Sequence, residues 1–482
     1  MKYSPFLALF LLAGTVFPAQ RPNIVFAIAD DWGFPHASIY ENDEVLKTPV
    51  FDRLAREGIL FNHAYISSPS CTPSRNAILT GQYHWRLGPG ANLWSTLATE
   101  HQTYPLLLKA AGYHVGSWRK SWGPGRLTGW DDHPAGKPGK GFDDFIAKRP
   151  KGAPFCFWLG ASDPHRGYKP GSGKNKGMDL SKITLPGCFP DSEAVRSDVA
   201  DYYFEVERFD SDVGKMVAKR EEMGELENTL ILMTGDHGMP FPRCKGNIYD
   251  SGARVCLAAR WGSKIKGGRV VDDFVSTTDF APTFLEAAGV AVPQAMTGRS
   301  LMNVFSSPKS GQVDPARSYV LTGKERHTPC QDAGISGGTP MRAIRNTGFL
   351  FIVNDRPERW PAGTPHYRNA FMSGAWYGDC DNGPTKTYMV ENAEKDAHHK
   401  KLFELAFGKR PRLELYDLKK DPDQLDNVAE NPEYAGVMKK LAEQLHKDLV
   451  ATGDPRELGQ GDQFDSYPYF GGVPTFPGFK KK

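Results

Sequence analysis

Four short stretches of the chain are almost continuously apolar: Asn23–Ala29, Tyr113–Trp118, Phe155–Gly160 and Thr229–Thr234. Runs of this length, bounded by Pro, Gly or charged residues, predict strands covered on both faces, the signature of a parallel sheet. Helical periodicity fills the intervals: Phe51–Glu57 entered through Thr48-Pro49, Thr103–Ala111, and a long segment from Val195 to Met223. A further helix near Asp279–Ala288 closes this unit. The alternation predicts an α/β fold, a mostly parallel sheet flanked by helices. After about residue 310 the pattern changes. Short strands at Ser318–Leu321, Met341–Ile344, Phe349–Val353 and Leu413–Asp417 are separated by turn residues, and a helix follows from Pro432 to Val450. This predicts a smaller C-terminal α+β unit containing an antiparallel sheet. The expected boundaries are 21–310, 311–455 and an irregular tail over 456–482, rich in Gly, Pro and aromatics.

The chain ends change this picture only at the front. Met1-Lys2-Tyr3 precedes an apolar run from Phe6 to Phe17, then Pro18-Ala19-Gln20. That run is too short to span a bilayer and predicts an export signal over residues 1–20, hence a periplasmic or secreted protein with no membrane span. With 482 residues and 40% hydrophobic content, the chain can bury a large core. A net charge of +3 from interspersed acids and bases carries no nucleic-acid footprint. Seven cysteines (71, 156, 188, 244, 256, 330 and 380) show no zinc spacing, and sequence assigns no pairing among them.

Chemistry collects where the predicted strands end. The first is followed by Asp30-Asp31, the second by Arg119-Lys120, the third by Asp163-Pro164-His165 and the fourth by Asp236-His237-Gly238. Ligands of open α/β sheets bind outside the carboxyl ends of the strands, so these residues mark a site. Asp30, Asp31 and Asp236 would repel one another unless a cation lay between them, and hard oxygen donors favour Ca²⁺ or Mg²⁺. Pro69-Ser-Cys71-Thr-Pro-Ser-Arg75 adds a cysteine at a predicted helix start, among unpaired backbone N–H groups, with a fixed cation about one turn on.

Cys71-Thr72-Pro73-Ser74-Arg75, with Leu79-Thr80-Gly81 behind it, resembles the C-x-P-S-R signature of the type I sulfatases. The resemblance implies an alkaline-phosphatase-like fold and conversion of Cys71 to formylglycine by a maturation enzyme. It further implies a Ca²⁺ ion held by Asp30, Asp31, Asp236 and residue 71, and a sulfated carbohydrate as substrate. Here His237 stands where the family usually has Asn, and it either ligates or lines the site. Gly112-Tyr113 through Lys120 resembles the second family signature, with Trp122 in the place of its His; His84, His133 and His165 are candidate replacements. The resemblance gives Lys120, His165 and Lys245 the task of holding sulfate and protonating the leaving group, and Arg75 that of holding the nucleophile. Trp122 is either rim packing or a platform for a sugar ring. Arg326 and His327 are substrate-contact candidates, as are Asp379, Asp381 and Lys386 nearby. The surrounding pattern is similar to N-sulfoglucosamine sulfohydrolases and bacterial polysaccharide sulfatases. Two other readings share these residues: a phosphomonoesterase or phosphonate hydrolase of the same superfamily, and an inactive sugar-binding homologue.

Overall fold

A computed structural model describes residues 21–480; the expected export signal lies outside the described residues. Strands β1 (Asn23–Ala29), β2 (Ile59–Tyr65), β3 (His114–Arg119), β4 (Lys137–Pro138), β5 (Phe155–Gly160), β6 (Thr229–Gly235), β7 (Arg254–Arg260) and β8 (Arg269–Ser276) form one sheet. Its order is β4-β3-β5-β1-β6-β7-β2-β8. Five of its seven pairings are parallel; β7 alone runs against both of its neighbours. The apolar runs read from the sequence are therefore the central strands. Alternate residues of β1 feed two separate cores, Val25, Ala27 and Ala29 on one face and Ile24, Phe26 and Ile28 on the other. A strand that must be apolar on both faces has no polar positions to alternate, which explains its unbroken pattern.

The same logic explains what the sequence pattern missed. β2, β7 and β8 carry His63, Arg254, Arg260, Asp272 and Asp273 within or beside their apolar residues. They lie towards the far side of the sheet; Arg254 and Arg260 sit at the two ends of β7 and Asp272 is exposed on β8, so polar residues break up the apolar runs. The predicted helices appear as Pro49–Glu57, Tyr104–Ala110, Glu193–Glu222 and Phe280–Ala287. The long helix Glu193–Glu222 is capped by Ser192, whose side chain accepts from the Val195 N–H.

A second sheet is antiparallel, in the order β12-β11-β10-β9: β9 (Tyr319–Lys324), β10 (Met341–Asn346), β11 (Phe349–Asn354) and β12 (Leu413–Asp417). The helix Ala435–Ala451 buries Leu441, Leu445 and Leu449 against it. All seven cysteines are buried free thiols. Among the described residues no helix is long and apolar enough to cross a membrane.

Candidate active site

β1, β3, β5 and β6 are parallel neighbours, so their carboxyl ends share one edge of the sheet. Backbone bonds carry the pairing past the strand ends: Asp30 N donates to Asp163 O (3.1 Å), Asp236 N to Ala29 O (3.1 Å) and Lys120 N to Gly160 O (2.8 Å). Two glycines permit this crowding. A Cβ on Gly235 would sit 2.0 Å from the Trp32 carbonyl oxygen, and one on Gly160 would sit 1.6 Å from that of Lys120. Side chains at either position would push apart the loops that bring the charges together.

Above this edge lies the helix Cys71–Thr80, every residue of which is buried. Cys71 is its first residue, in the turn whose backbone N–H groups have no partner within the helix. The thiol sulfur is 3.5 Å from Asp30 Oδ1 and 3.3 Å from His237 Nε2. Arg75, fully buried, donates from Nε to Asp236 Oδ2 (2.8 Å) and also bonds the Lys120 carbonyl. Ser74 Oγ donates to the Asp236 carbonyl at 2.6 Å, tying the helix to β6. Lys120 Nζ meets both carboxylate oxygens of Asp30 at 2.5 Å. Lys245 Nζ bridges Asp31 Oδ2 (2.9 Å) and Asp381 Oδ2 (3.0 Å).

Burial alone would push the Asp30 carboxyl up, but Lys120, His165, Arg75 and Lys245 outweigh it and hold it well below the usual carboxylate range. Burial likewise opposes charge on Lys245, and Asp31 and Asp381 win, keeping it protonated. Cys71 goes the other way: burial, and then the Asp30 charge, push its thiol well above the ordinary range. An unmodified Cys71 is therefore a neutral thiol and a poor nucleophile.

The acids form a cradle. Asp31 adopts a left-handed backbone (φ 71°), and its N–H donates to Asp236 Oδ1 at 2.9 Å. His237 Nδ1 lies 3.0 Å from the Gly238 carbonyl, which can only accept, so Nδ1 carries the hydrogen. The Nε2 lone pair then faces Asp31 Oδ1 (3.2 Å), Asp236 Oδ1 (3.6 Å) and the Cys71 sulfur. One ligand atom each from Asp30, Cys71, Asp236 and His237 lies within 4.8 Å of all the others. Asp31 Oδ1 is buried without a hydrogen-bond partner. Converging lone pairs and an orphaned carboxylate oxygen fit a bound divalent cation.

The cluster opens into a cavity of about 540 Å³, lined on one side by Asp30, Cys71, Lys120, His165, Lys245 and Asp381. His165 donates from Nδ1 to the Arg166 carbonyl (2.5 Å), leaving Nε2 on the side of Asp31, 3.9 Å from Oδ2. His327 lines the cavity with Nδ1 against Ser70 Oγ at 2.8 Å.

Other expected contacts fall elsewhere. Trp122 does not line the cavity: its indole donates to Asn76 Oδ1 (2.5 Å) and packs on the core, so rim packing is its place. Arg326 is a correction as well. The residue is 3% exposed, and its Nη1 and Nη2 donate to the carbonyls of Ser336 and Pro468. Lys386 points at four oxygens of its own surroundings, and Asp379 caps Thr328. His84 is buried against Ser67, away from the cavity, and His133 does not line it. The sequence pattern passed over Leu93, Trp94, Pro124, Tyr469, Gly472 and Pro474, which also line the cavity. For Tyr469, Gly472 and Pro474 the only signal was the aromatic, Gly- and Pro-rich composition of the tail; Leu93, Trp94 and Pro124 carried none.

A mostly parallel sheet that gathers acids, lysines and a helix-start cysteine at one edge defines a hydrolase of the alkaline-phosphatase-like type. The sulfatase family profile matches residues 22–150, and the profile described as "N-sulphoglucosamine sulphohydrolase, C-terminal" matches residues 235–321. Both matching profiles are sulfatase profiles, one at each of two separate stretches of the chain. The chain is 29% identical to an ulvan-active sulfatase of Formosa agariphila over 90% of this chain and 81% of that one. It is 26% identical to the N-sulphoglucosamine sulphohydrolase of Homo sapiens, covering 91% of each. A solved structure in complex with its substrate D-glucosamine-2-N,6-O-disulfate shares the fold with a TM-score of 0.63, at 22% identity over 90% of this chain and 98% of that one. The phosphonate monoester hydrolase of Silicibacter pomeroyi shares it equally, with a TM-score of 0.63 at 17% identity over 90% and 96% of the two chains. Fold alone therefore does not separate sulfur from phosphorus as the centre attacked.

Proposed function

We propose that the protein is an exported sulfatase that hydrolyses sulfate esters or N-sulfate groups of carbohydrates, with formylglycine at position 71 and a bound Ca²⁺. The observation that carries this reading is the seat of Cys71: the first residue of a buried helix, 3.5 Å from Asp30 and 3.3 Å from His237, facing a cavity that also holds Lys120, His165 and Lys245. The names of the relatives, with ulvan and sulfoglucosamine among them, support a carbohydrate substrate.

Each residue then has a task. Lys120 and Lys245, both charged, bind the sulfate oxygens and balance the charge that develops on them as the S–O or S–N bond breaks. Arg75 holds Asp236 and position 71 in register. His165, oriented by the Arg166 carbonyl at Nδ1, delivers a proton from Nε2 to the departing oxygen or nitrogen when it enters the step as imidazolium, with both ring nitrogens protonated. Asp30, Asp31, Asp236 and His237 would hold the cation, which supplies Lewis-acid polarisation at the nucleophile. The modification supplies a hydrated carbonyl, one hydroxyl to attack sulfur and a second to restore the carbonyl, which a thiol cannot do. Cys71 is only 2% exposed, so a maturation enzyme must act on it before the chain folds.

Two measurements test this. Mass spectrometry of the Cys71 peptide from a host with maturation machinery should show loss of the thiol and gain of the aldehyde. Sulfate release should be seen from a panel of sulfated saccharides that includes D-glucosamine-2-N,6-O-disulfate and ulvan oligosaccharides. Matched aryl sulfate, phosphate and phosphonate esters complete the panel. Preference for the phosphonate ester would sink the reading, and an unmodified thiol with no turnover would favour an inactive sugar-binding homologue.

A further inference from the structure

The C-terminal tail lies outside both profile matches, yet it completes the cavity. Residues 468–474 cross from the loop behind the Cys71 helix to the loop around Gly378. At one end Phe470 N donates to Trp94 O (2.7 Å), and the Arg126 guanidinium lies 4.4 Å from the Phe470 ring. At the other, Trp376 N donates to Pro474 O (3.3 Å), Thr475 bridges to Ala375, and Phe476 stacks on Tyr367 at 4.1 Å. Within the strap the Tyr469 hydroxyl donates to Gly472 O at 2.6 Å, which satisfies its polar tip. Arg326 bonds Pro468 O and sits 5.7 Å from the Tyr469 ring.

Trp94 is fixed from several sides. Its backbone is left-handed (φ 52°), its N–H donates to Thr72 Oγ1 (3.2 Å) and its carbonyl holds Phe470. Gly471 covers the indole so closely that a Cβ there would lie 2.4 Å from Cγ. Such backbone persists only where its surroundings hold it. Thr72 follows Cys71 directly, so one short chain of contacts links the tail to the nucleophile position.

The cavity lining thus has two unlike parts: cations and acids around Cys71, and the less polar set Leu93, Trp94, Pro124, Tyr469 and Pro474. A sulfated sugar has the same division, with a charged sulfate at one end and a ring whose C–H face packs on aromatic surfaces. The cavity volume of about 540 Å³ falls in the small-ligand range. We infer that Trp94 and Tyr469, held in place by the strap, form the subsite for the sugar ring and set specificity. Arg326 acts on this subsite as a positioning residue, through Tyr469 and Pro468. The inference rests on the sulfatase reading above.

The test uses the full-length, modified enzyme and the same saccharide panel. Trp94→Ala and Tyr469→Ala should each raise KM for the best sulfated saccharide at least about tenfold, the loss falling on KM more than on kcat. Gly471→Ala, which forces the strap or the indole to move, should act in the same direction. Trp94→Phe should restore most of the affinity, which a merely structural tryptophan lost to misfolding would not do. Unchanged KM in the alanine variants, or wild-type turnover of aryl sulfate with none of any saccharide, would overturn the subsite while leaving the sulfatase reading intact. No sulfate release from any probe by the modified wild type would remove both.

Discussion

Two buried charge clusters in this molecule use the same ingredients to opposite ends. In the smaller unit Arg342 donates to Asp454 (2.6 and 2.9 Å) and Glu325 (2.7 Å), and Arg456 closes on Glu325 (2.5 and 2.8 Å). Two acids meet two arginines, and every carboxylate oxygen has a partner. At the sheet edge four carboxylates (Asp30, Asp31, Asp236 and Asp381) face three fixed cations (Arg75, Lys120 and Lys245), and Asp31 Oδ1 has no partner. The first cluster is complete and sealed. The second is short of positive charge and opens to a cavity. A buried group left unsatisfied is costly, so its persistence points to something outside the chain that satisfies it.

The sharpest break in this comparison is chemical. Cys71→Ala should cut turnover on the order of a thousandfold or more while circular dichroism shows an unchanged fold. Arg342→Ala strikes the sealed cluster instead. It leaves Glu325 and Asp454 short of charge and should destabilise by about 3–5 kcal/mol in denaturant titration. A cation distinguishes the two next. Ca²⁺ at a hundred times its Kd should stabilise the wild type by about 2.7 kcal/mol in thermal unfolding, and Asp31→Asn should remove most of that response. Arg342→Ala should retain it, since the sealed cluster has no vacancy for an ion.

A pH-dependent effect comes from a buried group belonging to neither cluster. Burial pushes His36 down to about 4, so the unfolded chain binds a proton between pH 6.5 and 4 that the folded chain refuses. Stability therefore rises with pH across that window, and His36 contributes at most about 3 kcal/mol of the change. His36→Phe should flatten the slope of unfolding free energy against pH between 4 and 6.5. An unchanged slope would overturn the assignment to His36 and leave the other buried histidines that burial also pushes down, His63 and His84 among them, as the source.

The comparison also marks how far the residues could be read in advance. The open cluster was legible because its members stand next to the central strands: Asp30 and Asp31 after β1, Lys120 after β3, Asp236 after β6. Parallel pairing then leaves them one place to meet. Arg326 was misplaced because a charged residue near a site looks the same in sequence whether it faces the cavity or braces the wall behind it. For Trp122 the sequence left rim packing and a sugar platform open, and the structure places it in packing; the indole that lines the cavity is Trp94, held there by a tail whose composition suggested only irregularity.

By itself, the sequence determined the central strands, the acids and bases at their ends and the helix that starts at Cys71. These follow from local pattern and the single direction that parallel pairing allows. Only the tertiary structure decided that β7 runs antiparallel between β6 and β2, that Asp31 Oδ1 is left without a partner, and that residues 468–474 close the cavity. Each depends on contacts between segments far apart in the chain, whose pairing is set by packing and not by any pattern within one segment.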